Sequence, residues 1–462
     1  MKTVTNRTIA AYCLPQFAVG LFTAMLNNYL IYFYQPSRES GLPTLITQGT
    51  VILGVLTVVG FVKAIGHVFD AVTDPLVASL SDKSRGPGGR RIPFMKWAAV
   101  PFGLSALLIF FVPQSAPGMV NNIWLAVFLW AYYLFYTLYM VPQEALLPEM
   151  IPAEGQRVNA YTMRSFFFVT GSAVGYVTPL IVSGLKKAGL PPVWAWRCTF
   201  ALFTVVGIIL LLVPVFTIKE KDYVRSVQPT VSLKESIRHA FANRHFRAVT
   251  LGQLLEGTGM SFFQACIMYY VTSLMGLPEE ASVAILAVSI AGSLLLYPLI
   301  NRWAKRRGKR LPILLGCAVF TLAEFAICFS DALPGSPMVM ALIFAVFVSF
   351  PFAVLNILPH SMMADVIQYD TITTGVNQEG IFSAAKSFIT KLGTSLAIMI
   401  VPSLTVIGAA AGENIGRLGL KLTAVAGGLF CLGAIIAFLR YNEREVLGVI
   451  RAHRAGREGV KP

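Results

Sequence analysis

Charge is what this chain has least of. Only 13% of its 462 residues are Asp, Glu, Lys or Arg, about half of the roughly 25% found in soluble globular chains. With 56% hydrophobic residues, that shortage excludes a soluble domain and points to a polytopic membrane protein. Acids are scarcer than bases, 22 against 37, giving a net charge of +15. In a soluble chain such a surplus would suggest nucleic acid as a partner. Here the positives gather in short connections between apolar runs, where they set orientation in the membrane. Cysteine is sparse too. Cys13, Cys198, Cys266, Cys317, Cys328 and Cys431 lie in or beside apolar runs without CxxC or metal-ligand spacing, and read as free, small, apolar side chains. The chain has no HExxH, GxSxG, paired metal histidines or phosphate loop, so neither an enzyme nor a bound cofactor is expected. No cleavable leader is expected either, because Arg7 is followed at once by a segment of spanning length.

What the chain has is long apolar runs. A span needs about 20 mostly apolar residues, and twelve runs qualify: 8–34, 50–80, 93–112, 123–145, 158–184, 195–217, 246–274, 281–300, 311–330, 338–364, 380–409 and 418–439. The connections 81–96, 218–247 and 301–310 carry eighteen Lys and Arg, and the opposite set carries five. Basic connections stay in the cytoplasm, so both termini are expected there, in the cell membrane. The connection near 365–379 breaks the trend, with Asp365, Asp370 and Glu379 but no base. The longest connection, 218–245, contains Pro229 and a Ser232–Glu235 capping box, which predicts an amphipathic interfacial helix. It divides the chain into a bundle over 1–217, a linker over 218–245, a second bundle over 246–440 and a tail over 441–462.

The two halves repeat one another. Arg90-Arg91-Ile92-Pro93 matches Lys309-Arg310-Leu311-Pro312. Val141-Pro142 with Glu149 matches Leu358-Pro359 with Asp365, and Arg164-Ser165-Phe166 matches Lys386-Ser387-Phe388. The offsets are 219, 217 and 222. Three matches in order argue for a duplicated six-helix unit, an all-α fold that places solute near the midplane.

The second run carries Lys63, His67, Asp70 and Asp74, spaced 4, 3 and 4 apart, which puts them on one helix face. Ionisable groups at membrane depth face a protein interior or a watery cavity. Two carboxylates one turn apart repel unless a proton or a metal cation sits between them. The alternative is a packing salt bridge of Lys63 or His67 with Asp70.

The basic turn from Asp82 through Arg85 to Arg91 resembles the signature between the second and third helices of the major facilitator superfamily. DAVTDP at 70–75 and ADVIQYDTITTGVNQEGIFSAAKSFITKLG at 364–393 are similar to motifs of its glycoside–pentoside–hexuronide:cation symporters, the melibiose permease among them. The resemblance implies twelve transmembrane helices in two pseudo-symmetric six-helix bundles, monomeric in the membrane lipid. It implies Asp70 and Asp74 as the cation site (a metal site if the ion is sodium), with Thr73 a further ligand, Lys391 a neutralising partner, and Lys63 and His67 as coupling groups. Histidine stands at 67 where the family often has arginine, which suits proton coupling, so transported Na+ and H+ both stay open. Asp82, Arg85, Arg90, Arg91, Asp365 and Asp370 would form a cytoplasmic gate. Two positions depart from the sugar permeases: Gln16 and Met140 stand where they carry aspartates. That argues against a simple disaccharide.

The remaining solute candidates are Arg164, which matches a family arginine, and Lys386, Asn27, Asn28, Tyr32, Tyr136, Tyr139, Glu256, Gln264 and Asn356, with Tyr29, Tyr132, Tyr133, His360 and Glu324 beside them. Arg164 and Lys386 would clamp an anionic group, or else pair locally with Glu144, Glu149 or Glu379. The tyrosines would line a cavity or pack as an aromatic belt. Glu324 would serve function or a helix–helix hydrogen bond. The expected function is cation-coupled symport of a small organic solute. The alternatives are symport of amphiphilic lipids such as lysophospholipids, and proton-coupled export.

Overall fold

The computed structural model describes residues 4–52, 54–84, 88–151, 154–223, 240–330, 335–375, 379–410 and 413–458. Every regular element among them is a helix. Most of the expected interfacial helix, and Arg85, lie outside these residues. Eight helical stretches among the described residues are long and apolar enough to cross a membrane, by length and composition.

The chain divides into two compact units, 1–229 with 398–416, and 230–397 with 417–462. The first holds α1 (Asn6–Tyr34), α2 (Val58–Lys83), α3 (Ile92–Leu108), α4 (Met119–Met150), α5 (Glu154–Tyr176), α6 (Thr178–Lys187) and α7 (Pro192–Thr217). Local chemistry sets its helix starts. Thr5 and Thr57 are N-caps that accept from the Thr8 and Gly60 amides, and Pro93 sits in the first turn of α3, where no amide is needed. The apolar run that opens at 50 becomes helical only at Val58. Gly54 has φ +69° and Ile52 pairs with Leu56 in an isolated bridge, a turn that hydropathy does not register. Inside α1, Met25–Tyr29 form a π turn, and the Asn28 amide donates to the Ala24 carbonyl at 3.0 Å.

The first unit packs α1 on α5 and α7, and α4 on α2 and α3. The α1–α5 crossing is nearly backbone on backbone. A Cβ on Gly171 would collide with the backbone of Phe17, and one on Gly20 with the Phe168 carbonyl. Around Phe102 of α3 stand Tyr132, Tyr136 and Tyr139, with ring centroids 5.2, 5.7 and 6.4 Å away. Tyr132, Tyr136 and Tyr139 therefore share one face, as their spacing predicts, and that face is packed against α3.

The second unit holds α8 (Arg244–Tyr269), continued by a π turn at Tyr270–Leu274, α9 (Ala281–Arg307), α10 (Arg310–Cys328), α11 (Pro337–Leu355) and α12 (Leu358–Thr374). It continues with most of α13 (Glu379–Thr405), then α14 (Arg417–Leu439) and α15 (Glu443–Glu458). α14 packs on α8 and α10, and α9 packs on α11. The tenth apolar run is two helices. Pro359 has no amide to offer the Leu355 carbonyl, and the helix breaks at Asn356–Ile357. The segment expected as a tail contains a further helix, α15, packed on α12. Large apolar side chains face outward from both units, among them Trp97 at 82% and Leu295 at 81% exposure. That surface is stable against hydrocarbon and not against water.

Candidate cation and solute sites

α2 turns its ionisable face onto α4. Gly66 makes the approach possible, since a Cβ there would lie 2.6 Å from the Tyr133 ring. Trp130 Nε1 donates to the Val62 carbonyl at 2.9 Å, and the Tyr133 hydroxyl lies 3.0 Å from His67 Nε2. One turn further along α4, Thr137 places Oγ1 2.6 Å from Asp70 Oδ1 and 3.2 Å from Asp74 Oδ1. Thr137 and Asp70 are buried. Sequence reasoning missed Thr137, a lone hydroxyl in an apolar helix.

A hydroxyl has one hydrogen and two lone pairs. The 2.6 Å separation is that of a charge-assisted O–H···O⁻ bond, which assigns the hydrogen to Asp70. The Asp74 oxygen then meets a lone pair of the same hydroxyl. A proton on Asp74, or a small cation among the three oxygens, relieves that repulsion. All three are hard oxygen donors. Thr73, expected as a ligand, turns its hydroxyl back onto the Asp70 backbone carbonyl at 3.1 Å. Lys63 is 2% exposed and donates to the Leu26 carbonyl, 3.4 Å away in the π turn of α1. Its partner among the described residues is therefore a carbonyl on α1, and the alternative of a Lys63–Asp70 salt bridge is not observed. Lys391 is half-buried in α13, in the second unit.

Gln16 and Met140 meet. Gln16 Nε2 lies 3.9 Å from Met140 Sδ and donates to Gln143 Oε1 at 3.0 Å. Gln143 in turn donates to the Tyr12 carbonyl at 3.0 Å. The two departures from the sugar permeases are thus one buried amide–thioether contact between α1 and α4, and Gln16 is held inside the packing. Asn28 is buried in the π turn, while Asn27 there is half-buried. Tyr29 and Tyr32 pack on Trp196 at 5.4 and 6.0 Å, and the Tyr139 hydroxyl donates to the Leu211 carbonyl at 2.6 Å. Tyr32 and Tyr139 are fully buried, and Tyr136 is half-buried. Arg164 pairs with Glu144 at 2.5 Å, so the local-acid alternative describes it in this structure.

The second unit has its own cavity, about 660 Å³, lined from α8, α11, α12 and α13. Glu256, Gln264, Asn356, His360 and Lys386 all face it, joined by Gln253, Ser261 and Thr390. Five of the solute candidates singled out from the sequence are therefore brought together in one cleft. Met260, Leu355, Met363 and Ile367 supply its apolar wall. The helix break at Asn356 opens this side, with the Asn356 amide donating to the Phe352 carbonyl at 2.8 Å. Glu324 does not line this cavity.

The basic turns are tied down in the same way in both units. In the first, Glu149 Oε1 accepts from Arg90 at 3.1 Å and Arg91 at 2.9 Å. Glu220, beyond α7, accepts from the amides of Arg90, Arg91 and Ile92 at 2.7, 2.8 and 3.0 Å. In the second, Lys309 pairs with Asp365 at 2.5 Å. Glu443, beyond α14, accepts from the amides of Lys309 and Arg310 at 2.5 and 3.2 Å. Gly89 and Gly308, at φ +108° and +90°, precede these amides. Their left-handed conformation favours glycine, and a Cβ on either would strike the capping carboxylate. Asp370 accepts from Asn243 at 2.9 Å. The side chain of Asp82 lies outside the described residues.

Two helical units with matching internal ties, lipid-compatible surfaces and buried carboxylates suit an integral membrane protein, and the family and relatives that the chain matches make it a transporter of the major facilitator type, not an enzyme. Residues 11–443 match the family model described as MFS/sugar transport protein, and the chain belongs to that family. It is 27% identical over 414 residues to the putative glycoside/cation symporter YagG of Escherichia coli K12, covering 87% of this chain and 83% of that one. It is 25% identical over 376 residues to the sodium-dependent lysophosphatidylcholine symporter 1 of Xenopus tropicalis, covering 72% and 69%. The solved nucleoside transporter NupG shares the fold, with a TM-score of 0.63 at 13% identity over 94% of this chain and 98% of that one.

Proposed function

We propose that the protein is a cation-coupled symporter of a small organic solute. The transported ion, Na+ or H+, binds among Asp70, Asp74 and Thr137, and the solute binds against Glu256, Lys386 and the amides of the second-unit cavity. The observation that carries this reading is the single Thr137 hydroxyl set between two carboxylates, an arrangement that a cation completes. The solute is a polar molecule with an anionic or hydroxyl-rich group, not a disaccharide gripped by paired aspartates, because Gln16 and Met140 face one another instead. Orientation follows the basic turns, with both termini cytoplasmic, and the ties at Glu149 and Asp365 serve as gate elements.

The test is concentrative uptake in proteoliposomes under imposed sodium or proton gradients. Labelled sugars, uronates, sulphonates and lysolipids would be offered in turn. Asp70→Asn and Asp74→Asn should each abolish accumulation while the protein still folds. Accumulation undiminished in either variant removes the cation-site assignment.

A second reading, an amphiphilic-lipid symporter, is favoured by the likeness to the lysophosphatidylcholine symporter and by the apolar wall of Met260, Leu355, Met363 and Ile367. Uptake of lysolipid but of no soluble candidate selects it.

A further inference from the structure

Glu324 lies in the middle of the second unit and plays no part in the sites above. It is on α10 and is completely buried. Neither carboxyl oxygen has a hydrogen-bond partner among the described residues. The wall facing it is α14: a Cβ on Gly427 would come 3.6 Å from its Cδ. Cys431 is one turn further along α14 and lies within electrostatic reach of both Glu324 and cavity-lining Glu256. From α8 come Cys266 and Tyr270, both within its field. The nearest hydroxyls are engaged elsewhere, since Tyr270 bonds Thr423 at 3.1 Å and Thr423 donates to the Leu420 carbonyl at 2.7 Å. Cys328 is on Glu324's own helix and donates to its backbone carbonyl. α11, also packed on α10, contains no titratable residue. α12 meets α10 at its opposite end, through Asp365 and Lys309.

On α14 the base on this side is Lys421, whose carbonyl accepts from Cys328 at 3.4 Å; no base or other donor bonds the Glu324 carboxyl among the described residues. An ionised carboxylate in such a place loses its hydration and gains nothing in return, a penalty far larger than any one contact restores. A neutral acid there leaves one O–H without an acceptor and one carbonyl without a donor, a far smaller penalty. Ionisable residues at membrane depth are functional candidates by default, proton relays among them.

We propose that Glu324 is a second proton-binding site, held as a neutral carboxylic acid behind the wall that α14 presents to it. Its ligand is a proton alone, because three thiols, a phenol and glycine backbone offer no hard-cation shell. The assignment does not depend on Asp70 and Asp74 being the transported-cation site, and it can stand or fall independently of them.

Infrared difference spectroscopy of the full-length protein in lipid, wild type minus Glu324→Gln, tests it. At neutral pH the difference should show the carbonyl stretch of a protonated carboxylic acid, moved by exchange into heavy water. The paired carboxylate bands in its place would overturn the assignment. Asp70→Asn should leave the band in place, and its disappearance in that variant would assign the signal to the first unit and overturn the proposal.

Discussion

Thr137→Val keeps the volume and branching of a fully buried side chain on α4 and removes only the hydroxyl. In the wild type that hydroxyl gives its hydrogen to Asp70 at 2.6 Å and presents its oxygen toward Asp74 at 3.2 Å. A hydrogen bond to a charged group contributes about 1.5–3 kcal/mol. At about 1.4 kcal/mol per factor of ten, losing an oxygen contact of that size from a sodium ion's shell should weaken sodium binding about 10- to 100-fold. The assay is equilibrium titration of the purified protein with sodium, read by calorimetry and by protection against thermal unfolding. Thr137→Ser keeps the oxygen and should bind within a few-fold of wild type. Without sodium, Thr137→Val should already melt below wild type, since buried Asp70 loses its donor. Equal sodium affinity in the wild type and Thr137→Val would refute the reasoning, because the hydroxyl would then not belong to the ion's shell.

Three further perturbations follow from geometry. Gly171→Ala drives a Cβ into the backbone of Phe17, which has no rotamer to yield, and should destabilise by about 1–3 kcal/mol or more; Gly184→Ala, with open space around it, should be neutral or stabilising in the same thermal melt. Glu220→Ala leaves the amides of Arg90, Arg91 and Ile92 without their acceptor, and a drop of about 1–2 kcal/mol is expected, with faster amide exchange at the start of α3. The Arg244 guanidinium donating at 2.5 Å holds the Glu445 carboxyl down to about 2. A lowered acid contributes stability above its unfolded value and loses it as pH falls through its folded one, so exchange of α15 should quicken between about pH 4 and pH 2. Side chains 66% and 28% exposed make that effect small and salt-sensitive. Exchange in α15 that ignores both pH and Glu445→Gln would remove the tie.

Much of the fold was legible because a bilayer imposes a length on every apolar run and the chain repeats its punctuation. Arg90 and Lys309, Glu149 and Asp365 are separated by nearly constant offsets, and the structure joins them as ion pairs within each unit. The shared face of Lys63, His67, Asp70 and Asp74 followed from helical spacing alone. What spacing cannot supply is the partner helix. Thr137 is one hydroxyl among apolar and aromatic neighbours, and only the approach of α4 over Gly66 selects it. The α4 tyrosines had the right face but an unknown occupant, which is Phe102. Glu220 and Glu443 look like ordinary solvated charges, because their acceptor role depends on amides far away in sequence. Gln16 and Met140 were each legible as departures, while their contact with one another was not.

The two capping glutamates bear on how the polypeptide can be made. Each follows the final spanning helix of its half and clasps the hairpin that leads into the third, so either bundle carries its own buckle. Neither buckle includes residues 224–239. Halves encoded as separate polypeptides, divided in that stretch, should each retain the fastening and accumulate as folded partners when produced together.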